Sequence, residues 1–97
     1  MKPVFFSNKA EEDLEEIADY IAQDSPTRAL SFISVLRQQC EKLSLYPTSF
    51  RRYPELGPDA HIMPHKNYVI LYLNLDDYVS IERILHGARD ILALLED

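Results

Sequence analysis

Three side chains towards the end of the chain, His86, Arg83 and Lys66, form the set best suited to cleaving RNA. Metal-independent cleavage of a phosphodiester needs a base for the 2′-hydroxyl, an acid for the leaving 5′-oxygen, and cations for the charged phosphorane. Arg83 alternates with Val79, Ile81 and Leu85, so the spacing predicts a guanidinium emerging on a largely apolar face. Such a group needs a carboxylate or carbonyl partner. That partner is either internal, from Asp90 or an acid of the first helical stretch, or it belongs to another molecule. His86, alone before Gly87, also fits a plain hydrogen-bonded strand terminator.

Two other clusters carry chemistry. Arg51 and Arg52, flanked by Phe50 and Tyr53, are a basic and aromatic pair that reads either as a solvated loop packed on a sheet edge or as a contact for an acidic partner. His61 and His65 have the helical metal-ligand spacing, but Pro64 between them makes the segment extended. At strand rise the two rings stand about 13 Å apart, too far for one metal. Cys40 is alone, which removes an intramolecular disulfide and a cysteine-rich metal site and suits a reducing cytoplasm. No metal or cofactor is expected.

The charge balance narrows the choice. A net charge of −6 has the wrong sign for gripping a phosphate backbone. Residues 1–27 hold two basic groups against seven acids, residues 28–66 hold six against three, and residues 67–97 hold two against six. Any anion-binding surface is confined to the middle of the chain. At 97 residues the chain reads as one domain, 1–97, able to fold without staples. Its N-terminus reads as neither a signal peptide nor a membrane span.

These groups must be positioned by local elements. Val4–Phe6 fit a first strand. Ser7 or Asn8 offers an N-cap, and Asn8 with Glu11 has the capping-box spacing. Ala10, Leu14, Ile17, Ala18 and Ile21 then recur at helical spacing, with Glu11, Glu12, Asp13, Glu15, Glu16 and Asp19 forming a solvated acidic face. Ser25-Pro26 starts a second helix. Its buried stripe is Ala29, Phe32, Ile33, Leu36, Cys40 and Leu43, and Pro47 should stop it near Tyr46.

Residues 47–60, rich in Pro, predict an irregular connection, and 61–65 a short edge strand that tolerates Pro64. Lys66-Asn67 turns the chain into the run from Tyr68, which Asp76-Asp77 joins to the run ending at His86 as an antiparallel hairpin. In the first run Tyr68, Ile70 and Tyr72 alternate with Val69, Leu71, Leu73 and Leu75, so both faces are apolar. The strand should be central, and helices can cover only one of its faces well. A large exposed apolar face usually belongs to a partner. Ile91, Leu92, Leu94 and Leu95 add a sticky tail.

The order of elements resembles the RelE/ParE superfamily of toxins from type II toxin–antitoxin modules. It is closest to the ParE branch through Ala10-Glu-Glu-Asp-Leu-Glu-Glu-Ile, Leu45-Tyr-Pro-Thr-Ser-Phe-Arg-Arg, Tyr68-Val-Ile-Leu-Tyr and Ile84-Leu-His-Gly-Ala-Arg-Asp. The resemblance covers nearly the whole chain. It implies an α+β fold, β-α-α-β-β-β, with an antiparallel helix hairpin on one face of the sheet and a three-stranded meander after it.

It also implies a cytoplasmic toxin held in a hetero-oligomer by a cognate antitoxin. The antitoxin's helical C-terminal segment would lay apolar anchors in a sheet-lined groove, for which Ile70, Tyr72, Leu73, Ile84 and Leu92 are the candidates. The usual target is DNA gyrase in the ParE branch, here through Arg51, Arg52, Arg83 and His86, and translated messenger RNA in the RelE branch. A non-toxic antitoxin-binding module is a third reading.

Two departures bear on activity. Gly87 stands where similar ribonucleases tend to carry an aromatic residue, and the tail from Ala88 has no Tyr or Phe to stack on a base. His61 stands where ParE-like chains often carry an arginine, which removes a permanent cation.

Overall fold

The first helix begins where the Ser7 hydroxyl accepts the Ala10 N–H at 3.0 Å, so the cap is Ser7, and Asn8 is the first helical residue. The structure, a computed structural model, describes residues 1–87. Strand β1 (Val4–Phe6) leads into helix α1 (Asn8–Ala22). Ser25, whose side chain accepts the Arg28 N–H, then caps helix α2 (Pro26–Glu41). The α-helix stops at Glu41, earlier than the proline signal suggests, and tightens into a 3-10 turn at Lys42–Ser44.

Within the stretch expected to be irregular, Arg51–Arg52 form a two-residue strand, β2, followed by a 3-10 turn at Pro54–Leu56. β3 (Ala60–His65), β4 (Tyr68–Asn74) and β5 (Val79–His86) make the antiparallel meander. The five strands form one mixed sheet in the order β1-β5-β4-β3-β2, with β1 parallel to β5. β2 pairs with His61 and Ile62, so among the described residues β3 has no partner on that side from Met63 to His65. Pro64 sits in that open stretch, where its missing donor costs nothing.

The β4 alternation divides the core. Ile70 and Tyr72 lie with Ala10, Leu14, Ile17, Leu36, Cys40 and Leu43 between sheet and helices. Leu71, with Ala60, Ile62 and Leu85, forms a smaller cluster on the other side, against which Tyr53, Leu56, Val69 and Leu73 pack. The large exposed apolar face expected there is therefore absent among the described residues. The proline-rich connection folds its own Tyr53 and Leu56 over that side of the sheet, and Ile62, Leu71 and Leu85 are each less than a tenth exposed.

β5 breaks the simple alternation. Tyr72 opposes Ile81 while Leu71 opposes Arg83, so Glu82 is an extra residue, a β-bulge. Val79 and Ile81 face the helices, the bulge reverses the phase, and Ile84 faces the helices in turn while Leu85 joins the opposite cluster. Arg83 therefore does not share a face with Val79 and Ile81.

Candidate functional site

β1 ends at Phe6, opposite Ile81, and among the described residues the rest of that β5 edge has no strand neighbour. The start of α1 takes over that role. The Ser7 N–H donates to the Ile81 carbonyl at 2.9 Å, and the Ser7 hydroxyl donates to the Glu82 carbonyl at 2.9 Å. Asp13 completes the edge: its Oδ2 accepts the Ile84 N–H at 2.9 Å and Arg83 Nε at 2.9 Å, while Oδ1 accepts an Arg83 terminal N–H at 3.2 Å. The Asp13 side chain is 9% exposed and that of Arg83 26%. Three charge-assisted donors in a poorly hydrated setting hold this carboxylate in place.

Asp13 thus leaves the solvated acidic face assigned to it. The signal was in the sequence: it lies three residues after Ala10 and four before Ile17, on the buried stripe of α1. No charge pattern reveals this, because its neighbours Glu11, Glu12, Glu15 and Glu16 are all exposed acids.

Arg51 lies in the same cross-strand row as Arg83. Arg51 opposes Ile62, Ile62 opposes Leu71, and Leu71 opposes Arg83, so the row spans three strand spacings, about 14 Å. Arg51 and Arg52 are exposed. The Arg51 guanidinium stands over the Tyr53 ring at 5.1 Å, and an Arg52 terminal N–H donates to the Pro58 carbonyl at 3.2 Å. Among the described residues neither has a carboxylate partner.

The segment before these arginines is clamped to the sheet. The Tyr72 hydroxyl donates to the Pro47 carbonyl at 2.7 Å, and His61 Nδ1 lies 2.9 Å from the Phe50 carbonyl oxygen, close enough to donate to it. The two rings stack with centroids 5.1 Å apart and planes at 12°. Burial pushes the Tyr72 hydroxyl pKa up to about 12. His61 therefore braces the loop that carries Arg51 and Arg52. Sequence reasoning did not find this clamp, whose members are separated by 11 and 25 positions.

The remaining candidates separate. His86 and Lys66 line one cavity with Tyr68, whereas Arg83 shares a smaller recess with His86, Asp13 and Glu16. His86 meets the Tyr68 ring edge to face at 5.1 Å. Among the antitoxin candidates, Ile70, Tyr72 and Ile84 are 0%, 0% and 3% exposed and lie inside the helix-side core. As the chain is folded they are covered by its own helices. Leu73 points to the other side and lines a shallow groove with Leu56, Leu71, Ser7, Lys9, Glu82 and Arg83. Leu92, Asp90 and the apolar tail lie outside the described residues. His61 and His65 turn to different neighbours, Tyr72 and Phe32. No described helix is long and apolar enough to cross a membrane.

Comparison with known proteins places this arrangement. The family model for the ParE toxin of the type II toxin–antitoxin system, parDE, matches residues 4–91. Toxin RelE2 of Caulobacter vibrioides (strain ATCC 19089 / CIP 103742 / CB 15) is 35% identical over 89 residues, covering 92% of this chain and 99% of that protein. A chain from a solved chromosomal ParDE TA system from P. aeruginosa superposes with a TM-score of 0.77 at 20% identity, over 90% of this chain and 97% of that one. At that identity the likeness speaks for the fold.

Proposed function

The chain belongs to the ParE toxin family of type II toxin–antitoxin systems, and from that premise we propose that it is a toxin that inhibits DNA gyrase by binding and is neutralised by a cognate antitoxin. The observation that carries the binding reading is the contrast between its arginines. Arg83, the cation a ribonuclease would aim at the phosphorane, has Nε and a terminal N–H committed to Asp13. Arg51 and Arg52 are exposed on a braced edge strand and suit an acidic protein surface. Catalysis would also need His86, Lys66 and Arg83 around one phosphate, and the cavity that holds the first two does not include Arg83.

For the antitoxin, the groove beside Leu73 is the surface the fold supports best. It offers Leu56, Leu71 and Leu73 as apolar floor with Lys9, Glu82 and Arg83 at its rim, and suits one amphipathic segment. Replacing Leu73 with Glu should weaken antitoxin binding by an order of magnitude while circular dichroism stays that of the folded chain. Wild-type affinity in a folded Leu73→Glu chain would move the antitoxin elsewhere.

The target is tested with purified chain, gyrase, ATP and supercoiled plasmid, scored for linear DNA after detergent and protease. Gyrase-dependent linear product is expected. Its absence from a folded chain, together with new 5′ ends on translated messages after induction, would replace gyrase inhibition with ribosome-dependent RNA cleavage.

A further inference from the structure

A cavity of about 630 Å³ lies between the helix hairpin and the β3–β4 turn. That is within the range of small-molecule sites. Its described lining includes the cations Arg28 and Lys66 and not one Asp or Glu, in a chain that carries 16 acids, and Glu16 lies in the recess that adjoins it at Tyr20, Tyr68 and His86. Such a wall concentrates anions against the prevailing charge of the molecule. Neither Arg28 nor Lys66 has a carboxylate within salt-bridge distance among the described residues.

The same cavity has an aromatic side. Phe32 lies 5.9 Å from the His65 ring and 5.6 Å from the Tyr68 ring, and Tyr20, 71% exposed, stands at the rim. The Nε2 of His65 is buried beneath this wall and has no hydrogen-bond partner among the described residues. A buried ring nitrogen without a partner is costly, and a ligand or an ordered water bound beside it would relieve that cost. Burial, and after it the charge of Lys66, hold the His65 pKa below its ordinary value. Lys66 itself occupies a left-handed position, φ 57°, that ordinarily favours Gly or Asn.

We propose that the cavity between α2 and the β3–β4 turn is a binding site for a mononucleotide, with Arg28 and Lys66 taking the phosphate and the Tyr20, Phe32 and Tyr68 rings taking the base. The site shares His86 with the gyrase set named from the sequence but is separate from the Arg51–Arg52 edge on which the gyrase proposal rests. Arg51 and Arg52 stand three and four ladder rows beyond the His65–Tyr68–His86 row, on the far side of β3. The site therefore does not depend on that edge. Exposed cations and stacked bases each make modest contributions, so the affinity should be weak and salt-dependent.

The test is an NMR titration of the full chain with adenosine monophosphate, and with adenosine and inorganic phosphate as its two halves, at low and high salt. Adenosine monophosphate should shift the His65, Phe32 and Tyr68 signals at lower concentration than either half does, and high salt should weaken it. Arg28→Gln and Lys66→Asn should each lower its affinity about fivefold. Asn keeps the left-handed turn, and Arg28 is exposed on α2, so both variants should fold. Tyr20→Ala should weaken adenosine monophosphate but leave phosphate unchanged. No shift at millimolar concentration in a folded chain, or equal affinity in wild type and both charge variants, would overturn the site.

Discussion

Arg83 and Arg51 belong to one row of one sheet, yet they are held in opposite ways. Arg83 is anchored by a carboxylate from α1 that also closes the backbone of β5, and 26% of its side chain is exposed. Among the described residues, Arg51 is held by the face of an aromatic ring and Arg52 by one carbonyl. The difference lies in what each contact fixes. An ion pair that also satisfies a buried backbone donor belongs to the fold, whereas a guanidinium steadied on an aromatic face keeps its donors for another molecule.

The sharpest way to break this comparison is at Asp13. Asp13→Ala removes the acceptor of the Ile84 N–H and of two Arg83 donors, in a place where water enters poorly. Breaking a buried pair from one side costs about 3 kcal/mol or more. Urea denaturation should show most of that loss, and Asp13→Asn, which keeps one acceptor oxygen, should recover a part. A loss near zero in Asp13→Ala would mean that Arg83 is no more tied to the fold than Arg51.

The opposite result is expected at the edge strand. Arg51→Ala and Arg52→Ala should leave stability within about 0.5 kcal/mol, as exposed substitutions do. On the gyrase reading each should lower gyrase-dependent plasmid linearisation about tenfold, the cost of roughly 1.4 kcal/mol at an interface. Unchanged activity in both would remove this pair from the target contact.

Between these extremes lies the clamp. Tyr72→Phe deletes the bond to the Pro47 carbonyl and should cost about 1 kcal/mol. It should also alter the alkaline limb of stability. The folded-state pKa of about 12 lies above the ordinary value of 10, so the folded chain keeps its proton where the unfolded chain loses it. Tyr72 therefore stabilises the fold fully below pH 10, and that contribution fades as the pH rises towards 12. Tyr72→Phe should flatten the fall over that window, read by denaturation at each pH. A slope identical to wild type would show that the hydroxyl is not buried as described.

Periodicity carried most of the framework: the α1 and α2 stripes, the two faces of β4 and the hairpin are local patterns, and each appears where its pattern placed it. The misplaced pieces depend on contacts between distant residues. Nothing near Glu82 announces a bulge, since it arises where β5 must meet both β4 and the start of α1. β2 is two arginines with no apolar alternation, and exists because His61 and Ile62 offer it an edge. Ile70, Tyr72 and Ile84 were legible as buried, but which molecule buries them depends on which face the helices choose. A period of two cannot say.

The smallest effect tests the principle most directly. Arg37 and Glu11 make the same forked pair as Arg83 and Asp13, with two N–H donors at 2.6 and 3.3 Å, and the Arg37 guanidinium also lies 5.1 Å from the Phe6 ring centroid. Their side chains, however, are 43% and 47% exposed, against 26% and 9% in the buried pair. If bond count set the energy, Asp13, which accepts three bonds to the two of Glu11, would weigh only about half as much again. If burial sets it, Glu11→Ala should cost only about 0.5 kcal/mol, and salt should shrink that further, because water can solvate whichever partner remains. Measuring Glu11→Ala and Asp13→Ala side by side in urea, at low and high salt, separates the two accounts. Similar losses would refute the burial argument, whereas a several-fold larger, salt-insensitive loss at Asp13 would identify solvent access, and not hydrogen-bond geometry, as what makes one arginine part of the fold.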